Sequence, residues 1–166
     1  MIHDTDPFAT PESARSSVRR LRGRFGMTVC LWTAPGPAGL TVSSTLVGDG
    51  DPGRVLGLID EESELWPAIE AAGVFTVVPL GEPHRQLADR FAGLMPAPGG
   101  LFRQEAWEQT PYGPVPAGSG TWAGCRLDAA RPFGWGLLVE GTLEQITLGD
   151  AAVPLIHHRG RYTTLS

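Results

Sequence analysis

Residues 25 to 44 read FGMTVCLWTAPGPAGLTVSS, two apolar segments on either side of a turn rich in proline and glycine. Residues 25–33 are almost all apolar or β-branched, which is typical of a buried strand. Residues 34–37, Ala-Pro-Gly-Pro, predict a turn. Residues 39–44 predict a second strand that ends in polar side chains. The segment therefore indicates two consecutive strands at the start of a β-rich fold.

The remaining chain continues this pattern. Further strands are predicted at residues 54–59, 75–79, 120–127, 136–146, 153–156 and 161–165. Helices are predicted at residues 11–22, 63–73 and 82–93. Because the helices lie in connections between strands, we expect a mainly β fold, and a small antiparallel barrel would hide the strand edges. Residues 96–118 are rich in proline and glycine, and they are either a lid, an arm that reaches a partner subunit, or an ordinary surface loop.

The charged residues exclude several classes of protein. The chain has 166 residues, with 13 basic and 18 acidic side chains and a net charge of −5. A broad nucleic-acid surface is not expected at this charge. All the basic residues are arginine, so the chain can form no lysine Schiff base and has no P-loop lysine.

The sequence indicates neither a metal site nor a membrane segment. Cys30 and Cys125 lie in apolar runs and are expected to be small buried hydrophobic residues. His157 and His158 are adjacent on a strand and would face opposite ways, so they do not share a metal. No stretch is apolar over the length needed to cross a bilayer. We expect a cytoplasmic protein with a flexible tail or short helix at residues 1–17 and one domain at residues 18–166.

Three short segments are candidates for binding a ligand. The polar strand end at residues 41–44 offers hydroxyls and backbone groups, although such residues also form ordinary turns. Asp60 and Ser63 open a helix, where they either cap it or border an anion site. Arg90 could pair with a phosphate and Phe91 could line a ring, unless the former is solvated and the latter belongs to the core.

Together, these segments resemble a known family. The order is Arg-Arg-Leu-Arg-Gly-Arg-Phe at residues 19–25, Gly-Leu-Thr-Val-Ser-Ser at 39–44, Asp-x-x-Ser at 60–63 with Trp66 following, Leu-Ala-Asp-Arg-Phe-Ala-Gly at 87–93, and Pro-Leu-Ile-His-His-Arg-Gly-Arg-Tyr at 154–162. In this order and spacing, the chain is similar to the flavin reductase-like family. That resemblance implies the FMN-binding split barrel, a Greek-key β-barrel.

The resemblance also implies a function. Members are homodimers that bind FMN or FAD near the subunit interface, pass hydride from NADH or NADPH to flavin N5, and often supply a monooxygenase. No side chain acts as a catalytic acid or base, and no metal is needed. The cofactor-binding residues implied by motif position are Leu40, Thr41, Val42, Ser43, Ser44, Asp60, Ser63, Trp66, Arg90 and Phe91.

The sequence departs from the family pattern at two places. The family usually has Asp-His where this chain has Trp135 and Gly136, and Asp-Arg-x-Ser where this chain has Asp-Glu-Glu-Ser at residues 60–63. We assign substrate binding to Trp135, His157 and Tyr162. The alternatives to a reductase are a flavin-binding protein without nicotinamide turnover and a structural dimer that has lost its ligand.

Overall fold

The computed structural model of the chain describes residues 16–150 and 152–165. This part of the chain forms three short α-helices and one 3-10 helix, which are α1 (Ser17–Gly23), α2 (Leu65–Ala72), the 3-10 helix (Glu82–His84) and α3 (Arg85–Phe91). It also forms twelve strands, which are β1 (Met27–Thr28), β2 (Cys30–Ala34), β3 (Ala38–Val42), β4 (Thr45–Gly48), β5 (Arg54–Ile59), β6 (Val74–Pro79), β7 (Trp107–Thr110), β8 (Gly113–Pro116), β9 (Trp122–Phe133), β10 (Gly136–Thr147), β11 (Leu155–His158) and β12 (Arg161–Thr164). The prediction of a mainly β fold with two or three short helices is confirmed.

The strands form three sheets in which every pairing is antiparallel. The largest has seven strands in the order β3-β2-β6-β9-β10-β5-β4. A three-stranded sheet, β1-β11-β12, and a two-stranded sheet, β7-β8, accompany it. In the large sheet, the hairpin β4–β5 therefore lies at the opposite edge from the hairpin β2–β3.

A two-residue connection closes the large sheet into a barrel. β3 and β4 are its two edge strands, yet only Ser43 and Ser44 separate them in the chain. A connection of this length spans at most about 11 Å, so the sheet must curl until its edges approach each other. No hydrogen-bonded ladder joins β3 to β4 in the described part of the chain. The barrel is therefore split along this line, which we call the seam.

Two stacked aromatic rings fill the barrel. Trp32 of β2 and Phe75 of β6 are fully buried, with ring centroids 4.8 Å apart and an interplanar angle of 16°. Glycines on β5 and β10 leave room for them: a Cβ at Gly57 would lie 2.4 Å from Trp32 Cζ2, and one at Gly141 would lie 2.7 Å from Phe75 Cζ. The Trp32 indole N–H donates to Thr45 Oγ1 at 3.0 Å. That bond ties β2 to the edge strand β4.

A second apolar cluster covers the outer side of β2 and β6. Cys30 and Trp32 belong to the cluster inside the barrel, whereas Val29 and Leu31 belong to the outer cluster. The rest of the outer cluster comes from β6, α3, β8, β9, β11 and the residue after β6, and comprises Val78, Leu80, Leu87, Ala88, Phe91, Val115, Trp122 and Leu155. Because β2 is covered on both faces, its sequence is apolar throughout and does not alternate.

Residues 96–118 fold back against their own barrel. The Thr33 hydroxyl of β2 donates to the Pro114 carbonyl at 2.6 Å and accepts a hydrogen bond from the Thr76 hydroxyl. The Phe102 ring contributes to the outer cluster. Of the alternatives left open by the sequence, the structure does not show an open lid, because the segment forms the hairpin β7–β8 and packs on its own chain.

The sequence predictions differ from the structure mainly at short elements. Strand β4 was not predicted because it has only two apolar residues, and the hairpin β7–β8 was not predicted because β7 is mostly polar and β8 contains two prolines. The helix predicted from residue 11 begins at Ser17 in the described part, where the Ser16 hydroxyl accepts the Arg19 N–H at 3.2 Å. Residues 1–15 of the predicted tail lie outside the described residues. None of the described helices is long and apolar enough to cross a membrane.

We predict that Gly57→Ala destabilises the protein by about 2 kcal/mol or more, because the new methyl group would overlap the Trp32 ring inside a packed core. Gly48→Ala is the matched control, since a Cβ there meets nothing closer than 3.9 Å. Urea unfolding followed by circular dichroism measures both free energies. Equal values for the two variants would contradict the close packing of Trp32 on Gly57.

Candidate functional site

One end of the barrel brings together three of the polar segments. The Ser44 hydroxyl donates to the Leu58 carbonyl at 3.1 Å, and the Leu58 N–H donates to the Ser44 carbonyl at 3.3 Å. Asp60 follows two residues later, so it lies beside the seam. On the other side of β5, Leu137 is the Cα partner of Ile59, which brings the tip of the β9–β10 hairpin to the same end. We call this end the barrel rim and define it as residues 43–44, 60–66 and 133–136.

The rim hydroxyls already donate within the chain. Ser63 Oγ donates to the Asp60 carbonyl at 2.7 Å, and Asp60 Oδ1 accepts the Glu62 N–H at 2.9 Å. The Ser44 hydroxyl is a donor in the same way. Each of these hydroxyl oxygens keeps acceptor lone pairs. The rim therefore suits a ligand that brings its own N–H and O–H donors.

Helix α2 begins at the rim without a side-chain cap. Glu64 occupies the N-cap position and makes no side-chain capping bond, so the first backbone N–H groups of the helix have no side-chain acceptor there. Trp66 in the first turn is half-buried and packs against the interior cluster. Four exposed carboxylates crowd this turn, and none forms an ion pair within the described residues: Asp60, Glu61, Glu62 and Glu64.

The tip of the β9–β10 hairpin presents aromatic rings to solvent. Trp135 is fully exposed and Phe133 is 54% exposed. The Arg131 guanidinium carbon lies 5.9 Å from the Phe133 ring centroid. Gly134 takes the left-handed conformation, with φ 59°, which allows the tight turn. A fully exposed tryptophan is uncommon in a folded domain, and this one lies at the same end as the seam. Phe133 was not among the predicted site residues.

Three of the predicted binding residues lie along the outer side of β3. The Thr41 hydroxyl donates to the Ala88 carbonyl of α3 at 2.7 Å. Phe91 is buried in the outer cluster. Arg90 is also buried and pairs with Glu105 at 3.2 Å, while its Nε has no hydrogen-bond partner in the described part of the chain. These three residues hold α3 and its following loop against the barrel, and their predicted contact with a flavin stays a prediction.

Leu40 and Val42 point into the barrel. Val42 is buried in the interior cluster, and Leu40 packs against that cluster from a half-buried position. Their side chains are therefore occupied in the core, and the groups they could offer a ligand are those of the main chain. Together with Thr41 they form the end of β3 that leads into the seam.

His157 and Tyr162 lie on the three-stranded sheet. They are cross-strand partners on β11 and β12, with ring centroids 6.2 Å apart. Tyr162 packs against the outer cluster. Burial raises the pKa of its hydroxyl above the ordinary value, and the Asp89 carboxylate of α3 raises the pKa further. This arrangement groups Tyr162 with α3 and the outer cluster, whereas Trp135 lies at the rim.

The two cysteines are buried and unpaired, as the sequence predicted. Burial raises the pKa of the Cys30 thiol to about 11 and that of Cys125 to about 12. Both are therefore protonated at neutral pH and are poor nucleophiles. Within residues 16–150 and 152–165, no three His, Cys, Asp or Glu side chains are grouped so that they could hold a metal ion.

The rim has a definite chemical character. Its sequence contains hydroxyls, carboxylates and two exposed aromatic rings, but no histidine, cysteine, arginine or lysine. Such a set suits binding and orientation of a planar heterocycle better than proton transfer by a side chain. Fold and rim together define a small split β-barrel whose open end carries hydrogen-bond acceptors and exposed aromatic rings.

Comparison with known proteins identifies the family. The family model described as flavin reductase like domain matches residues 22–166, and the chain belongs to that family. It is 31% identical over 168 residues to a protein of Rhodococcus qingshengii named NADH:FMN oxidoreductase, with 93% of this chain and 85% of the relative covered. It is 30% identical over 127 residues to the reductase component of 4-hydroxyphenylacetate 3-monooxygenase from Thermus thermophilus, with 76% of this chain and 78% of the relative covered.

A solved structure supports the same fold. Nitrilotriacetate monooxygenase component B from Mycobacterium thermoresistibile superposes with a TM-score of 0.81 at 28% identity, covering 90% of this chain and 86% of that one. The expected resemblance to the flavin reductase-like family is thereby confirmed, and with it the split-barrel fold.

We predict that neither thiol reacts with Ellman's reagent in the folded protein at pH 8, because both cysteines are buried with raised pKa values. Two thiols should react after denaturation in guanidinium chloride. The absorbance of the released nitrothiobenzoate measures the number. Rapid reaction of one thiol in the native protein would contradict the burial.

Proposed function

We propose that this protein is a flavin reductase, which oxidises NADH and reduces FMN or FAD. The family match supports the activity, and relatives named for NADH and FMN support the choice of reductant and flavin. NADPH is the second reductant to be tested. The observation that carries the proposal is the barrel rim, where the seam, the turn at residues 60–63 and the exposed Trp135 lie together.

The rim residues fit a flavin by the chemistry of their free groups. The isoalloxazine ring and the ribityl chain bring N–H and O–H donors, and the lone pairs of Ser44 and Ser63 can accept them because both hydroxyls donate elsewhere. The uncapped N-terminus of α2 offers N–H groups to the phosphate. We assign Thr41, Ser43 and Ser44 to the ring edge and ribityl chain, and Asp60, Ser63 and Trp66 to the ribityl–phosphate side. Leu40 and Val42 would contribute main-chain groups, and Arg90 and Phe91 would close the phosphate end from α3.

In this proposal the side chains of the protein orient the bound molecules and do not transfer protons. The bound flavin supplies a hydride acceptor at N5. Overall, NADH and one proton from water would be consumed, and NAD⁺ and reduced flavin would be released. The seam would hold the edge of the flavin ring, α2 would hold its phosphate, and Trp135 would stack on the incoming dinucleotide at the rim. No ionisable side chain of the rim needs to change its protonation state.

We further propose that the protein works as a cytoplasmic homodimer, where NADH is available. An apolar strip on the outer face of β4 and β5 supports the dimer: Leu46 is exposed, and Leu56 and Leu58 are half-buried. Two similar proteins are named as the reductase component or component B of monooxygenases. That similarity supports a separate oxygenase as the acceptor of the reduced flavin.

We predict that the double substitution Ser43→Ala and Ser44→Ala raises the Kd for FMN by about tenfold or more, since two hydrogen bonds are worth roughly 1 kcal/mol each. Quenching of tryptophan fluorescence during FMN titration measures the Kd. Ser119→Ala, in the connection between β8 and β9, is the control and should bind FMN like the wild type. Unchanged affinity in the double variant would exclude the seam as the flavin site.

We predict that Trp135→Ala raises the KM for NADH by about tenfold, because loss of one stacking contact costs roughly 1 kcal/mol or more. The Kd for FMN should change less than twofold. Trp135→Phe keeps an aromatic face and should stay close to the wild type. Steady-state NADH oxidation at saturating FMN measures the KM. If all three proteins share one KM, Trp135 does not contact the dinucleotide.

A further inference from the structure

Helix α1 is poorly covered by the described part of the chain. It has seven residues, and none of them is buried. The hydrogen bond from the Arg159 N–H to the Gly23 carbonyl, at 2.7 Å, fixes only its carboxyl end. A helix of this length is not stable in water by itself. Such a helix gains stability when a further surface covers its exposed apolar side chains.

The apolar side of this segment is continuous. Val18 and Leu21 are three residues apart, which places them on one face of α1, and Phe25 follows two residues after the helix ends. They are 77%, 62% and 59% exposed, respectively. Single exposed hydrophobic residues need no explanation, but two on one helical face with a third just after the helix favour association.

Arginines flank this apolar face. Five of the 13 arginines of the chain lie at residues 15–24, and that stretch contains no acidic residue. Arg19, Arg20 and Arg22 are exposed, and none forms an ion pair with another residue in the part of the chain that the structure describes. The partner surface should therefore be apolar with carboxylates beside it.

The same chain carries such a surface at its rim. The apolar strip on the outer face of β4 and β5 ends at Leu58, and the exposed acidic turn begins two residues later. The carboxylates there are Asp60, Glu61, Glu62 and Glu64, and they too form no ion pair within the described residues. One surface is apolar and basic, and the other is apolar and acidic.

We propose that α1 of one copy docks on a second copy of this chain, with its apolar face on the β4–β5 strip and its arginines against the acidic turn. A second copy is favoured over a foreign protein because both complementary surfaces belong to one sequence. In a twofold dimer the contact forms twice. It also places guanidinium groups beside the acidic turn at residues 60–64 of the rim. The inference rests on the proposed homodimer but not on the redox activity.

A charge exchange between two chains tests the contact. One variant reverses the charge of α1 with Arg19→Glu, Arg20→Glu and Arg22→Glu. The other reverses the charge of the acidic turn with Glu61→Arg, Glu62→Arg and Glu64→Arg. Each alone brings like charges together and should raise the dimer Kd at least tenfold. Mixed in equal amounts, the two variants should form a heterodimer within about threefold of the wild-type Kd, because both contacts then join opposite charges. Analytical ultracentrifugation measures the Kd, and native mass spectrometry identifies the heterodimer.

The outcome is decisive in either direction. Any of three results would overturn the proposal. The wild type could be monomeric at micromolar concentration, or the variant with reversed charges in α1 could dimerise as tightly as the wild type. The third such result is a mixture of the two variants whose dimer Kd is no lower than that of either variant alone. Circular dichroism checks that both variants remain folded. NADH oxidation with added FMN is measured separately, so loss of the reductase function and loss of this interface are distinguishable.

A second pair of variants tests the apolar half of the contact. Leu21→Asp should raise the dimer Kd at least tenfold, whereas Leu148→Asp should leave it unchanged. Leu148 is a matched control because it is 78% exposed and lies outside α1. Equal effects of the two substitutions would show that α1 has no special part in the dimer, and would overturn the proposal as well.

Discussion

The stacked pair of Trp32 and Phe75 is the contact on which the architecture depends. Seven antiparallel strands can enclose two large rings only if the opposite strands carry no side chain at the point of closest approach. Gly57 and Gly141 meet that requirement, because a Cβ at either position would overlap a ring. The rings thus set the width of the barrel. The indole bond to Thr45 then draws the edge strand β4 towards β2.

The position of the rim follows from this closure. Because the barrel closes around two rings, its edge strands come close enough for residues 43 and 44 to join them, and the seam lies at the end of β3. The bonds between Ser44 and Leu58 hold β5 beside the seam, so the turn at Asp60 must lie there too. Ser44 and Leu58, 14 positions apart in the chain, are thereby neighbours without any direct sequence signal that pairs them.

The sequence predicted the elements with strong patterns and missed those whose signal was weak. The apolar run at residues 25–33 predicted one buried strand, whereas the structure divides it between β1 of the three-stranded sheet and β2 of the large sheet, and β2 alone is covered on both faces. Strand β4 was not predicted because its apolar residues are few and exposed. Strand β8 was not predicted because Pro114 and Pro116 argue against a strand. Order and spacing of short motifs identified the family, but they did not reveal that Phe91 is enclosed in the outer cluster or that Arg90 pairs with Glu105. Such contacts depend on where α3 packs, which local pattern does not specify.

The split in the barrel has a consequence for how long the protein survives. A sheet closed by two residues and not by a ladder opens most easily at that line, and partial opening exposes backbone to proteases. A ligand held at the seam would clamp both edges, and its binding free energy would add to that of folding, about 2.7 kcal/mol when the ligand is present at a hundredfold above its Kd. The supply of flavin in the cell would then govern the turnover of the polypeptide as well as the rate of its chemistry.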